Sequence, residues 1–375
     1  MTRSSTLVVG AGPAGCAAAV TLARAGVDVT VVDRARFPRD KTCGDALSNR
    51  AVALLEVLDA HAAVIAGPHA LVREAAAIFP DGSRVLRGYG KPGMIVPRRL
   101  LDHALRLAAE RAGARVIEGQ AIRTLQRRGD GSIIAEGPGF SRAAALVIAA
   151  DGPGSIARGL LGAPRVRGRH LAVSATVYLE GSGAPRETSE HYFERDLPCG
   201  YGWIFPEVDG LANVGVYQRA DAYEAGGVKL AVLLERFLAR RVPAGARRVG
   251  GVRSWSLPLG PSPGPLAGPG VVLAGDAGNL VDPLSGEGIW QALQSGIFAA
   301  ETAIAALERG ALDPALARRH DRRAARVFGV HSAVRASVQR AMTFFVDREL
   351  YRSRLLRAGL QWAYGRGALE RSKEL

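Results

Sequence analysis

The fold is decided by the stretch TLVVGAGPAGCAAAVTLARAGVDVTVVD, residues 6–33. A β-branched run leads through glycines into an alanine-rich segment that ends at Gly26, and a second β-branched run ends at Asp33. This order predicts a strand, a glycine turn, a helix and a second strand. Glycines in such a turn let a pyrophosphate approach the helix N-terminus, and the following carboxylate binds ribose hydroxyls. The stretch therefore predicts a dinucleotide site made of Gly10, Gly12, Pro13, Ala14, Gly15, Asp33 and Arg34.

This unit alone fits FAD and NAD equally, and two later turns separate them. DGPGSIAR (151–158) and LAGDAGNLVDPLSGEGIWQAL (273–293) each place glycines and an acid directly after a predicted buried strand. A dinucleotide with a bulky ring must be held at both ends, so three such turns favour FAD. Asp276 is placed to bind a ribityl hydroxyl, and the amides of Gly286, Glu287 and Gly288 open a helix that can stabilise negative charge on a reduced flavin. The competing interpretation is that these glycines only cap helices.

The pattern of strands and helices changes twice along the chain. Strand-rich segments such as LAVSATVYLE (171–180) and YGWIFPE (201–207) interrupt the nucleotide-fold segments, and arginine-rich helical sequence follows them. We predict an α/β fold with α+β elements. It consists of a Rossmann-like FAD-binding domain over 1–70, 98–165 and 265–310, an inserted β-sheet-rich substrate domain over 71–97 and 166–264, and a C-terminal helical region over 311–375.

Composition excludes several classes of function. Lysine and arginine number 49 against 35 acidic residues, a net charge of +14, but the arginines are scattered over all predicted helices. A nucleic-acid groove requires a compact basic patch with aromatics, which the sequence lacks before its C-terminal tail. The three cysteines have no disulfide or metal-ligand spacing, and the seven histidines show no ligand or triad spacing. We therefore expect no metal site and no nucleic-acid partner, and a location in the reducing cytoplasm.

Four motifs together resemble the geranylgeranyl reductase branch of the FAD-dependent oxidoreductases, which shares its fold with the aromatic hydroxylases of the para-hydroxybenzoate type. They are GxGPAG, RDKTCGD (39–45), DGxxSxxR ending at Arg158, and GDAGxxxDPLSGEGI (275–289). YGWIFPEVDGLANVGVY (201–217) adds the Tyr-x-Trp-x-Phe-Pro segment of that branch. Gly215 matches the first glycine of the Gly-x-Gly that follows in the branch, whereas Tyr217 stands where the second would be.

The resemblance implies roles for individual residues. Cys43 is implied to act in substrate binding or turnover, and Cys43, the neighbouring Asp45 or an ordered water can supply a proton. Contacts with FAD are implied for Lys41, Arg98, Asp151, Asp276, Pro283, Gly286, Glu287, Gly288 and Ile289. Other interpretations remain open: Cys43 can be a small buried hydrophobe, Lys41 a solvated charge, and Arg98 a surface charge at a helix start.

Aromatic residues alternate in the YGWIFP segment. Tyr201, Trp203 and Phe205 face the same way if this segment is a strand, and they then form a flat wall for a hydrophobic substrate. Tyr217 is a further candidate substrate-binding residue, which changes the shape of the substrate channel. The alternative is that these rings pack the core of the second domain.

The reaction implied by the resemblance is reduction of a carbon–carbon double bond in a prenyl or other hydrophobic substrate, with hydride from flavin N5. NADPH or a reduced electron carrier is the expected transient donor. The rivals are a flavin monooxygenase or hydroxylase and a halogenase-like enzyme, each acting on an aromatic substrate. Outside enzymes, the rival is a peripheral lipid-binding flavoprotein.

The last segment, RAMTFFVDRELYRSRLLRAGLQWAYGRG (340–367), combines arginines with large apolar residues. The apolar residues are Phe344, Phe345, Leu355, Leu356, Trp362 and Tyr364. Such a tail either lies on an anionic membrane surface or caps the FAD domain as packed helices. If the protein associates with membranes, we expect the contact to be made by this segment.

Overall fold

Strands and helices alternate through most of the chain. The structure is a computed structural model that describes residues 6–261 and 263–365. The described strands are β1 (Thr6–Val9), β2 (Val29–Val32), β3 (Ala46–Leu47), β4 (Ala70–Ile78), β5 (Arg84–Ile95), β6 (Arg115–Ile117), β7 (Thr124–Arg127), β8 (Ile133–Gly137), β9 (Phe140–Ala144), β10 (Leu146–Ala149), β11 (Leu171–Glu180), β12 (Thr188–Tyr192), β13 (Gly200–Pro206), β14 (Leu211–Arg219), β15 (Arg247–Pro258), β16 (Ala267–Gly268) and β17 (Val271–Leu273). The described helices are α1 (Pro13–Arg24), α2 (Asn49–Val57), α3 (His61–Ile65), α4 (Arg98–Arg111), α5 (Ala220–Gly226), α6 (Leu230–Arg241), α7 (Ile289–Arg309), α8 (Pro314–Ala324), α9 (Val330–Asp347) and α10 (Arg354–Gly365).

A six-stranded sheet forms around the first β-branched run. Its strands lie in the order β16-β17-β10-β1-β2-β6, and all pairs are parallel except β16 with β17. β1, β2 and β10 are buried along their whole length, which explains their continuous apolar sequences. The turn after β1 brings the N-terminus of α1 to the carboxyl ends of the strands, where ligands bind in doubly wound folds. The predicted Rossmann-like fold is confirmed.

The strand-rich segments form a second sheet of eight strands, in the order β15-β11-β14-β13-β12-β4-β5-β3. Its pairs are antiparallel except β12 with β4. β4 and β5 form an antiparallel hairpin whose turn contains Asp81 and Gly82. β3 belongs to this sheet although it falls in the segment predicted for the FAD domain, so the chain crosses from one sheet to the other just after Cys43.

The C-terminal helices pack on both large sheets. Val346 of α9 and Tyr351 join Phe79 at the end of β4 in one apolar cluster, and the rings of Phe79 and Tyr351 stack with centroids 5.7 Å apart. Gln361 of α10 bonds both backbone groups of Leu86 on β5. The region is helical as predicted, although its last ten residues, 366–375, lie outside the described part. Among the described helices, none combines the length and hydropathy needed to cross a bilayer.

Candidate active site

One cavity of about 1210 Å³ lies where the two large sheets meet. It collects residues from turns that are far apart in the sequence. The predicted residues that line it are Gly10, Gly12, Pro13, Ala14, Asp33, Arg34, Lys41, Cys43, Arg98, Asp151, Tyr201, Trp203, Phe205, Tyr217, Asp276, Gly286, Glu287, Gly288 and Ile289. Three predicted residues, Gly15, Asp45 and Pro283, lie behind the lining.

The three glycines of the first turn differ in what a Cβ at each position would contact. Gly10 has a φ of +102°, and a Cβ there would lie 2.2 Å from the carbonyl oxygen of Ala150. A Cβ at Gly15 would lie 1.8 Å from the carbonyl oxygen of Gly10, so this glycine lets α1 pack closely on the turn. Gly12 faces open space, with no atom within 4 Å of a Cβ. Gly12 is therefore where a pyrophosphate can approach the backbone.

Asp33 holds this turn in shape. Its Oδ2 accepts a hydrogen bond from the N–H of Ala11 at 2.7 Å, and its Oδ1 accepts one from the N–H of Ala35 at 2.7 Å. Each carboxylate oxygen keeps a second lone pair, so ribose hydroxyls can bind beside these amides. The Asp33 carboxylate thus lines the cavity, where it holds the backbone of the turn and can also bind a ligand hydroxyl.

Polar atoms without protein partners line the cavity at the start of α7. Glu287 Oε1 and Gln291 Oε1 are buried and have no hydrogen-bond partner in the described chain. The helix that begins at Ile289 is 21 residues long. Gly286 and Gly288, which have no side chains, come just before it. Buried polar atoms of this kind require a polar ligand or water, and the helix N-terminus favours an electron-rich group. These residues therefore fit the ring end of a bound FAD.

Lys41 and Asp276 form an ion pair in the lining of the cavity. The Lys41 Nζ lies 3.9 Å from Asp276 Oδ2 and 4.9 Å from the ring centroid of Trp255. Burial, followed by the charge of Arg98, lowers the pKa of Lys41 from its ordinary value. Lys41 is thus a paired, largely enclosed cation, and Trp255 is a cavity residue that the sequence did not reveal.

A buried ion pair fixes the turn before α7. Asp282 accepts hydrogen bonds from the N–H groups of Leu284 and Ser285 at 2.9 and 2.8 Å, and its Oδ2 contacts the Arg335 guanidinium of α9. Burial alone would raise the pKa of Asp282, but the charge of Arg335 and a hydrogen bond from His331 outweigh burial and hold it well below its usual range. The C-terminal helices therefore act as supports of the cofactor turn.

Cys43 lies between a buried ion pair and the cavity. The guanidinium of Arg98 forms two hydrogen bonds with Asp102, at 2.8 and 2.7 Å, and also faces the Cys43 thiol. Burial raises the pKa of Cys43, although Arg98 opposes this shift. The thiol is therefore protonated at neutral pH and faces the cavity. Arg98 is a buried residue rather than a surface charge.

The alternating aromatics form one wall of the cavity, as the spacing predicts. Tyr201, Trp203 and Phe205 are at most 6% exposed, and successive ring centroids lie 6.2 and 6.1 Å apart. A Cβ at Gly215 would lie 2.3 Å from the Trp203 ring, so this glycine makes room for the indole. His191, which no motif in the sequence marks, packs against this wall with its ring centroid 5.1 Å from that of Phe205.

Asn213 connects this wall to the turn that carries Cys43. It donates to the Cys43 carbonyl at 2.9 Å and to Asp45 Oδ2 at 2.8 Å. Its side-chain oxygen accepts from Trp203 Nε1 at 2.9 Å and from Thr176 Oγ1 at 2.8 Å. The amide uses both donors and is fully buried. No motif in the sequence marks this residue.

Asp45 is paired with a second carboxyl group, that of Glu207. One oxygen of each is buried without an ordinary donor, and the two carboxyls hydrogen-bond to each other, which requires a shared proton. Burial raises the pKa of Asp45 to about 6 and that of Glu207 to about 8. Asp45 also accepts from the Tyr178 hydroxyl at 2.5 Å. Its side chain therefore supports the turn from behind instead of facing the cavity.

Comparison with known proteins agrees with this geometry. Residues 3–188 match the family described as FAD binding domain. The chain is 36% identical to the menaquinone reductase of Mycolicibacterium smegmatis over 80% of this chain and 76% of that protein. It is 33% identical to the digeranylgeranylglycerophospholipid reductase of Methanothrix thermoacetophila over 82% of this chain and 79% of that protein.

A solved structure has the same fold. The geranylgeranyl bacteriochlorophyll reductase-like protein of Thermoplasma acidophilum superimposes with a TM-score of 0.81 at 22% identity, over 92% of this chain and 90% of that one. The glycine turns, the matched FAD binding domain and two relatives above 30% identity lead to one assignment. The chain belongs to the geranylgeranyl reductase family of FAD-dependent oxidoreductases.

Proposed function

We propose that this protein saturates carbon–carbon double bonds in the polyprenyl chain of a lipid or quinone. The observation that carries the proposal is the aromatic wall of Tyr201, Trp203 and Phe205, which shares the cavity with Cys43 and with the residues that fit FAD. Relatives are named for menaquinone and for digeranylgeranylglycerophospholipid, and a polyprenyl chain is what these two molecules have in common. A flat apolar wall suits such a chain better than either polar head.

FAD, when bound, supplies hydride from N5 to one carbon of the double bond. The chain's residues do the remaining work. The wall binds the polyprenyl segment and keeps water away from the reacting carbons. The Cys43 thiol holds a proton at Sγ, because burial keeps its pKa above the usual value, and it can give that proton to the second carbon. The Cys43 thiolate that remains must then regain a proton from solvent before the next turnover.

We further propose that the predicted cofactor residues at the cavity hold FAD. Gly10, Gly12 and Asp33 fit the pyrophosphate and ribose, since Gly12 leaves open space and Asp33 keeps lone pairs toward it. Asp276 and the turn before α7 fit the ribityl chain and ring. Lys41 and Arg98 bring positive charge to this end, which favours a reduced, anionic ring.

The halogenase-like alternative requires a lysine in a substrate tunnel. Of the described lysines, Lys41 alone lines the cavity, and it is paired with Asp276 under Trp255. The hydroxylase alternative uses the same fold motifs as the reductase, and product analysis separates the two.

The test is anaerobic incubation of the chemically reduced holoenzyme with menaquinone or a geranylgeranyl glycerolipid, followed by exposure to air and mass spectrometry of the lipid. Saturation of the chain leaves two added hydrogens after air oxidation, whereas reduction of the quinone ring is reversed by oxygen. A product with added oxygen, formed only under air, would instead support hydroxylation. Unchanged lipid in all arms would refute the reductase.

A peripheral membrane contact through α10 extends this proposal. Leu355 is 81% exposed and Trp362 is 59% exposed, and arginines flank them. Gln361 binds β5 at Leu86, beside Arg87 and Tyr89 of the cavity lining, so this apolar helix lies next to the site where a lipid chain would enter. Vesicles of anionic lipid should sediment the full chain, and Leu355→Glu should weaken this binding. Equal sedimentation of both proteins would contradict it.

The electron donor is proposed to be NADPH or a reduced protein carrier, in a cytoplasmic setting. Anaerobic mixing of the oxidised holoenzyme with NADPH, or with a reduced ferredoxin, identifies the donor by bleaching of the flavin. If NADPH bleaches the flavin within the turnover time, a protein carrier is unnecessary.

A further inference from the structure

Tyr217 is clamped at one end of the cavity. It lies on β14, is 2% exposed, and its ring centroid is 5.3 Å from that of Tyr201. Its hydroxyl donates to the carbonyl oxygen of Pro283 at 2.8 Å. A Cβ at Gly286 would lie 3.3 Å from the ring edge, so the cofactor turn presses against the ring from the other side. The ring therefore fills the gap between the aromatic wall and the turn before α7.

A second, much smaller space lies beside Gln339. A depression of about 10 Å³ is lined by Gly200, Leu284, Gln339 and neighbouring residues of α9. Gln339 donates to the same Pro283 carbonyl as Tyr217, at 2.6 Å. Tyr217 thus lines the large cavity, whereas Gln339, which donates to the same Pro283 carbonyl, lines the depression.

This placement matters for a chain-like ligand. A polyprenyl chain gains affinity with every apolar group that it buries, so it extends along the wall until something stops it. At the end next to the flavin-binding turn, Tyr217 is the obstacle. A stop at this end fixes how many carbons can pass the reacting position.

We propose that Tyr217 is a specificity-determining residue that stops the substrate chain at the Pro283–Gly286 turn and so sets which double bond lies beside the flavin. The choice of double bond rests on the proposed reductase function. The stop itself does not, because it limits the binding of any long apolar chain.

The test therefore measures binding first. Saturated isoprenoid alcohols of increasing length are titrated into the oxidised holoenzyme of wild type, Tyr217→Ala and Tyr217→Phe, with tryptophan fluorescence as the readout. For wild type we expect affinity to rise by about fourfold per buried methylene and then to stop rising at a limiting length. Tyr217→Ala should raise this limiting length, whereas Tyr217→Phe should keep it because the ring remains.

Two results would overturn the proposal: the same limiting length in wild type and Tyr217→Ala, or an equal extension in Tyr217→Phe. Tyr217→Leu replaces Tyr217→Ala if the alanine variant fails to retain FAD. The second readout is the position of the saturated bond in a geranylgeranyl lipid, which should move along the chain in Tyr217→Ala. If wild type saturates no lipid, the proposed function fails, while the binding series still decides the role of Tyr217.

Discussion

Asn213 and Asp45, 168 residues apart in sequence, are joined by a hydrogen bond of 2.8 Å between Nδ2 and Oδ2. Through this bond the strand that carries the substrate wall is tied to the turn that carries Cys43. The same amide accepts from Trp203, so one buried side chain sets the distance between the wall and the thiol. The two halves of the proposed active site are therefore directly connected by this side chain.

Asn213→Leu should destabilise the protein by about 3 kcal/mol, because it leaves several buried polar groups without partners. Chemical denaturation of the holoenzyme measures the change. Thr176→Val is the matched control, since it removes one of the bonds to Asn213 and should cost about 1 kcal/mol. Equal changes in the free energy of unfolding for the two substitutions would show that the hydrogen bonds of Asn213 contribute no more than the single bond from Thr176.

The carboxyl pair predicts a pH dependence of stability. Burial raises the pKa of Asp45 from 3.8 to about 6 and that of Glu207 from 4.5 to about 8, so the folded state keeps protons that the unfolded state has lost. The stability linked to this pair is fully present below about pH 4 and is lost as pH rises through 6 and 8. Tyr178, Asn213 and Arg98 face the pair and oppose the shift of Asp45.

Glu207→Gln tests this assignment. The variant should lose less unfolding free energy than wild type between about pH 6 and pH 8, because it has no second carboxyl to deprotonate. Urea denaturation at a series of pH values gives both curves. Parallel curves for the two proteins would rule out a shared proton.

Gly12 and Gly15 should respond differently to side chains. Gly12→Leu should fold but bind FAD at least tenfold more weakly, because its side chain would enter the open space at the proposed pyrophosphate site. Gly15→Val should fail to fold, because a Cβ there meets the Gly10 carbonyl at 1.8 Å. Circular dichroism reports folding, and flavin absorbance after gel filtration reports FAD. A yellow Gly12→Leu protein with wild-type affinity would contradict the site.

Arg335→Met should loosen the turn before α7. Removal of one partner from a buried ion pair costs about 3–5 kcal/mol, and here the cost falls on the turn that fits the flavin ring. We expect faster release of FAD, measured by fluorescence after dilution. Arg340→Met, on the exposed side of the same helix, should change stability by less than about 0.5 kcal/mol. Similar release rates in both variants would argue against a role of α9 in holding the turn.

Cys43→Ala should retain FAD and lose turnover by about 10²-fold or more, the usual contribution of a positioned proton donor. Cys43→Ser offers a weaker acid at the same place and should recover only part of the rate. Single-turnover rates with a polyprenyl substrate give the comparison. Wild-type rates in Cys43→Ala would show that the thiol only packs.

Local spacing made much of this site predictable. The glycine turn, the alternating wall residues and the turn before α7 depend on neighbours within a few positions, so their place at the cavity could be predicted from the sequence. Asn213 and Glu207 act through contacts with the Cys43 turn, far away in the chain, and no spacing marks them. From the sequence, Asp45 is proposed as a proton donor beside Cys43, but the spacing does not reveal that its side chain turns away from the cavity toward Tyr178.

The most direct test of the central claim is a single-turnover stopped-flow experiment in which the reduced holoenzyme is mixed with one equivalent of a polyprenyl lipid. Under anaerobic conditions, a polyprenyl lipid should reoxidise the flavin and gain one saturated double bond for each FAD oxidised. Reoxidation by oxygen alone, with no response to any polyprenyl substrate, would contradict the claim that this cavity is built for reduction of an isoprenoid chain.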